Sequence, residues 1–479
     1  MTRVLLVLAL LFGGAIAEAR PGGGHTSSGG GRSSSSSHSS SYGGGGYRGG
    51  SSYSGGSYGG GAFGGEAILV LFVIVGVLWV ITAMAKQGQG PAWTSDIPAP
   101  EPAPRADLAA IRAHDPAFSV ALFEDFAFEL YAAAQRRRGG QLQTLQPYLS
   151  PAAASQLDGR GPPPQQVVVG ALRIAQAGVR PTGARVLVHI EATLLGAGRP
   201  VAAVERWMFT RSLEAKTKPP ERTRSWPCPN CGAPWQPSPT RTCANCGQPV
   251  QVGTFDWCVE QAWVESETTA VASLTGTVEE YGTDLPTVRA PDVDAQLAQL
   301  AHDDPEVTFE KLYPRIELIY DQLNTAWNAR DLTPVRGLVT GALRDYLDYW
   351  IRAYAAQGLR NANLQAKLDG AEPAKVVRDP YYDAITVRIL AHGNEVTYDA
   401  KDRVVGGSPD RARRYSEYWT FLRSSARRGK ITTTPTCPNC GAPLQISDAG
   451  DCEHCGVAVE NGSFDWILSK IEQDDNYAG

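Results

Sequence analysis

The chain predicts an α+β architecture made of two related domains behind a single apolar helix. Three observations lead there. Eight of the nine cysteines fall into two sets of one spacing, C-x2-C-x11-C-x2-C, at Cys228, Cys231, Cys243 and Cys246 and again at Cys437, Cys440, Cys452 and Cys455. Before each set, helical periodicity gives way to strand-like runs, the order of an α+β domain with antiparallel strands. Near the N-terminus, Ala67 to Ala85 carries no charge over nineteen residues.

From the N-terminus, residues 1–19 have the form of a secretory leader: Arg3, an apolar run from Val4, then small residues around Ala15, Ala17 and Ala19. Residues 20–65 are nearly all Gly and Ser, which bury no core and predict disorder. Residues 66–86 predict a transmembrane helix, because nineteen uncharged residues at about 1.5 Å each nearly span a bilayer. A Pro/Ala/Gly linker follows at 87–104. Whether the leader is cut or kept, the chain after Lys86 is expected on the cytoplasmic side of an inner membrane as a single-pass protein. Thiols stay reduced there.

The remainder predicts two domains, 105–285 and 286–479, with cysteine segments at 226–252 and 435–461. Asp115-Pro116 and Asp304-Pro305 each read as a helix opening, acid at the cap and proline next. Leu312, Ile316, Ile319, Leu323 and Trp327 fall at helical spacing, and Phe123, Phe126, Leu130 and Ala134 are their counterparts. Second helical stretches are expected at Gln141 to Leu157 and Asp331 to Leu347, with starts at Ser150-Pro151 and Thr340-Gly341. Strand-like runs follow at Val186 to Leu194 and Ile385 to Ala391, then Glu205 to Ser212 and Glu417 to Ser424. A last run follows each cysteine set, at Phe255 to Glu265 and Phe464 to Glu472. Each cysteine segment is therefore expected at the tip of a strand hairpin.

Four thiolates in two Cys-x-x-Cys turns match the tetrahedral preference of Zn²⁺. Glycines 232, 247, 441 and 456, one after each second cysteine, permit the positive φ such turns adopt. With four sulfurs bound no position stays open, so the two expected zinc ions are structural. Disulfides and a redox role are the alternatives, and no thioredoxin-like βαβ pattern surrounds the pairs. His454 aligns with Asn245 and reads as a bystander, while Cys258 aligns with Ile467 and reads as a packed apolar residue.

The sequence resembles the bacterial relatives of the mitochondrial inner-membrane import subunit Tim-forty-four. The matching segments are the D-P helix openings, Ala326-Trp327-Asn328-Ala329-Arg330-Asp331-Leu332, Glu417-x-Trp419-Thr420-Phe421-x-Arg423 and Asp465-Trp466-Ile467-Leu468-x-x-Ile471. The first copy keeps Trp207, Phe209, Arg211 and Asp256-Trp257, but Gln135 to Gly140 replaces the Ala-Trp-Asn segment. The resemblance implies a cone-shaped domain like nuclear transport factor 2, here doubled and carrying inserted zinc ribbons. It also implies apolar pockets that Trp207, Trp257, Trp419 and Trp466 would wall, with simple core packing the favoured reading of each one taken singly.

No acid, base and nucleophile converge in the sequence, so no catalytic residue is assigned. His114, His189, His302 and His392 lie at helix starts or on unmatched strands. A net charge of −5 argues against nucleic acid as a partner, although Arg411, Arg413, Arg414, Arg423, Arg427, Arg428 and Lys430 form a basic stretch. A solvated or membrane-facing loop is the favoured reading of that stretch. The expected function is a membrane-anchored scaffold that binds proteins, with lipid contact, linked to translocation or envelope assembly. A zinc-ribbon nucleic-acid binder and a cone-fold enzyme are the alternatives.

Overall fold

The computed structural model describes residues 106–479 except 199, 220–225, 270–273, 275–279, 281, 448–449, 458, 460–461, 475 and 478. The expected leader, Gly/Ser segment, transmembrane helix and linker lie outside the described residues. Among those described, no helix is long and apolar enough to cross a membrane.

The N-terminal half runs α1 (Ala109–His114), α2 (Val120–Arg137), a 3₁₀ turn (Leu142–Tyr148), α3 (Pro151–Asp158), then β1 (Gln166–Arg180), β2 (Gly183–Leu195), β3 (Val201–Arg211) and β4 (Cys258–Thr268). The C-terminal half runs α4 (Val293–Asp303), α5 (Phe309–Ala329), a 3₁₀ turn (Thr333–Val335), α6 (Gly341–Ala356), then β5 (Leu359–Arg378), β6 (Tyr382–Asp399), β7 (Val404–Gly407), β8 (Arg413–Ser424) and β9 (Ile467–Gln473). The order is the same in both, with β7 as an added strand. The sheets are antiparallel, ordered β1-β2-β3-β4 and β5-β6-β8-β9, and β7 pairs with β6.

Helix starts follow the chemistry of their caps. Ser150 accepts the Ala153 N–H at 3.0 Å with Pro151 at the first helical position, and Thr340 accepts from Leu343 at 3.4 Å. The D-P readings are corrected. The caps of α2 and α5 are Ser119 and Thr308, whose hydroxyls accept from Leu122 and Lys311. Asp115 and Asp304 instead end α1 and α4 and turn inward, being 3 % exposed each.

Each half buries one core between its helices and the inner face of its sheet. In the second, Leu312, Ile316, Ile319, Leu323 and Trp327 meet Ile385, Val387, Trp419 and Phe421. In the first, Phe123 stands 5.3 Å from Phe209 and 5.0 Å from Trp257, ring centre to ring centre. Strands β1 and β5 were not expected from the sequence. Both are edge strands with bulges, and β5 carries Gly370 and Pro373, tolerable where one side of the ladder is free.

Candidate metal centres

Each cysteine segment joins two antiparallel neighbours, β3 to β4 and β8 to β9. The ladder continues past the strands, through Ser212 N–H to Gly253 O at 2.7 Å and Ser424 N–H to Gly462 O at 2.9 Å. Above that, four turns repeat one hydrogen-bond pair. Cys228 N–H donates to Ala233 O and Gly232 N–H to Cys228 O, and the same pair recurs at Cys243, Cys437 and Cys452. The glycine after each second cysteine takes φ between 67° and 76°, a backbone conformation that strains an L residue.

The result is two groups of four sulfurs. Cys228, Cys231, Cys243 and Cys246 lie within 4.8 Å of one another, and so do Cys437, Cys440, Cys452 and Cys455. Individual separations are 4.0 Å for Cys228–Cys246, 3.8 Å for Cys231–Cys243, 3.8 Å for Cys437–Cys455 and 4.0 Å for Cys440–Cys452. A disulfide needs about 2.05 Å, so these pairs are free thiols. A tetrahedral ion with bonds of about 2.3 Å sets its sulfurs about 3.8 Å apart. The donor set therefore fits a metal.

The surroundings favour thiolates on the outer rim. Asn230 and Asn439 donate side-chain amide N–H to Cys246 and Cys455, each at 3.5 Å, and Asn245 donates to Cys231 at 3.6 Å. The Ala233 backbone N–H and the Asn245 amide bring the Cys231 thiol down to about 6. The Asn439 amide and the Val457 N–H do the same for Cys455. Burial pushes Cys228 and Cys437 up to about 12. A cation among the four would offset that desolvation. An ion bound by all four sulfurs would have no open position for substrate.

Both ribbons are bolted to the helical layer of their own half. Arg241 reaches the carbonyls of Leu149 at 3.2 Å, Val250 at 3.1 Å and Gln146. Gln146 exchanges two hydrogen bonds with the backbone of Ser238, and the Tyr148 hydroxyl donates to Pro227 O at 2.8 Å. In the second half Leu444, Ile446 and Val459 press on Gly337, where a Cβ would stand 2.9 Å from Ile446 Cδ1.

The other candidate residues serve packing. Trp207, Trp257, Trp419 and Trp466 are at most 4 % exposed and sit within the cores, so they take the packing reading rather than that of pocket walls. Cys258 is fully buried, its thiol pushed up to about 12 by that burial. His454, His114 and His302 are exposed. His392 meets Asp369 at 2.8 Å, and His189 meets Glu191 at 3.1 Å. The basic stretch is dispersed: Arg413 and Arg423 are buried, and Arg427 donates to Phe464 O at 2.8 Å.

Sequence reasoning missed the polar core. Glu205 is fully buried and accepts from Tyr131 at 2.8 Å, Gln135 at 2.9 Å and the Trp207 indole at 2.9 Å, with Arg160 at 2.7 Å. Glu417 accepts from the Trp419 indole at 2.8 Å. The shared Glu-x-Trp spelling carried that signal, since residues two apart on a strand share a face.

No curated protein matches the chain. The family comparison covers α4 to just beyond β8 and stops short of Cys437: a Tim44-like domain is found at residues 293–432.

Proposed function

We propose that this protein is a membrane-anchored adaptor that binds proteins at the cytoplasmic face of a bacterial inner membrane, in translocation or envelope assembly. The Tim44-like domain at 293–432 carries the reading, since such domains are linked to membrane and protein interactions. The repeated element order supports a second domain of the same cone type in the N-terminal half, and hence a duplication. Zn²⁺ is the proposed ion in both ribbons, as four thiolates and a closed tetrahedron suit it best. The role is binding rather than catalysis. Four deeply buried charged groups, Glu205, Arg211, Arg388 and Arg423, are engaged in ion pairs that join core elements. Dispersal of the basic stretch weakens the nucleic-acid alternative.

Crosslinking in intact cells, followed by identification of the partners, tests the reading. Envelope or secretion proteins are expected on the C-terminal half. Recovery of ribosomal or nucleoid components alone would replace it with nucleic-acid binding.

A further inference from the structure

A cleft of about 520 Å³ lies between the two halves, within the size range of small-ligand sites. One wall is the outer face of the C-terminal sheet. On β6, Tyr382, Ala384 and Thr386 face the cleft, while the alternating Ile385 and Val387 point into the core. The opposite wall comes from α2 and β1, through Leu122, Phe128, Val169 and Leu172. The first turn of α6, with Tyr346, closes one end.

The charge in this cleft is lopsided. Five carboxylates line it, those of Glu124, Asp125, Glu129, Asp379 and Glu472, against the amines of Lys375 and Lys470. Lys470 pairs with Glu124 at 3.1 Å, and Lys375 donates to the carbonyl of Gly479 at 3.1 Å. Asp125 and Glu129 stand one turn apart on α2, neither in its buried stripe. Enclosure raises the Glu129 carboxyl; Arg136 opposes this and Asp345 adds to it. Low-dielectric walls focus such a field. A ligand with a hydrocarbon body and a positive charge satisfies both features, and an anion would meet repulsion inside apolar walls.

We propose that the cleft binds an apolar group bearing one protonated amine or guanidinium, its body against Phe128, Leu172 and Leu422 and its cation toward Asp125 and Glu129. The site involves none of the eight sulfurs, although Gly450 of the second cysteine segment lines it, and it stands whether or not the adaptor reading does.

Photoaffinity labelling of the full-length chain in lipid nanodiscs tests it. The probes are matched alkyl diazirines ending in a primary amine or a carboxylate. The amine probe should label α2 and β9 peptides saturably, several-fold more than the carboxylate probe. The double variant Glu129→Gln with Asp125→Asn should remove most of that preference while leaving the unfolding temperature unchanged. Competition by a short Leu/Arg peptide assigns the cation to a protein side chain, and competition by octylamine alone assigns it to a free amine. Equal labelling by both probes, labelling that neither competitor reduces, or a preference that survives the double variant overturns the proposal.

Discussion

Arg423 on β8 donates to Asp304 at 3.1 Å, and both side chains are buried. The guanidinium also lies 4.9 Å above the Trp466 ring. Arg211 repeats the arrangement, 2.6 Å from Asp115 and 4.5 Å above Trp257. Asp465 and Asp256 in turn hold the N–H of Trp466 and Trp257, each at 2.8 Å. Three short motifs far apart in sequence thus form one cross-brace between the end of the first helix of each half, the sheet and the exit from the ribbon.

Removing one partner of that brace leaves the other charge buried and unpaired. Asp304→Ala should cost the C-terminal half about 3–5 kcal/mol. Denaturant unfolding followed by hydrogen exchange on α4 and β8 checks this. A loss below about 1 kcal/mol would mean the pair is dispensable.

This brace marks where the sequence was readable and where it was not. The D-P pairs looked like helix caps because an acid before proline is a good cap, but the helices start four residues later at Ser119 and Thr308. Nothing local tells that the acid turns inward to an arginine 119 residues away. The apolar period of α5 was plain, since one whole face is buried. Strand β5 was hidden by Gly370, Pro373 and three bulges, which break the alternation that identifies a strand. The cysteine spacing was legible because knuckle geometry is local. The cleft was not, since its two walls come from α2 and β6, more than two hundred residues apart.

Gly337 has φ +76°, and a Cβ there would meet Ile446 at 2.9 Å and Leu444 at 3.2 Å. Gly232 has the same φ with nothing within 4 Å. Gly232→Ala should therefore cost about 1–2 kcal/mol from backbone strain alone. Gly337→Ala should add about 1–3 kcal/mol for the clash. Thermal unfolding of the two variants side by side gives the comparison, and equal losses would show that the second ribbon does not press on this loop.

Arg241→Ala removes the clamp between the first ribbon and the carbonyls of Gln146 and Leu149. Metal content should stay at the wild-type level, because no ligand is touched. Hydrogen exchange at 146–149 and 238–250 should accelerate. Loss of metal from the first site would mean that docking and metal retention are one event.

Burial raises the Asp474 carboxyl to about 6 from an ordinary 3.8, although it pairs with Arg388 at 2.7 Å and accepts from Ser416. The folded state then holds this proton more tightly than the unfolded chain does. Its stabilising contribution is full below about 3.8 and is lost as pH rises through about 6. The stability difference between wild type and Asp474→Asn should therefore change between those pH values and be flat above. A difference constant across the window would remove Asp474 from the pH dependence. Comparing the two proteins at each pH cancels the common effect of acid on the thiolates.

Metal analysis of the purified full-length chain, joined to X-ray absorption at the metal edge, reaches the foundation of this account. It predicts two zinc ions per chain, each in a shell of four sulfurs at about 2.3 Å. A folded chain without metal, or sulfurs joined about 2.05 Å apart as disulfides, would contradict it.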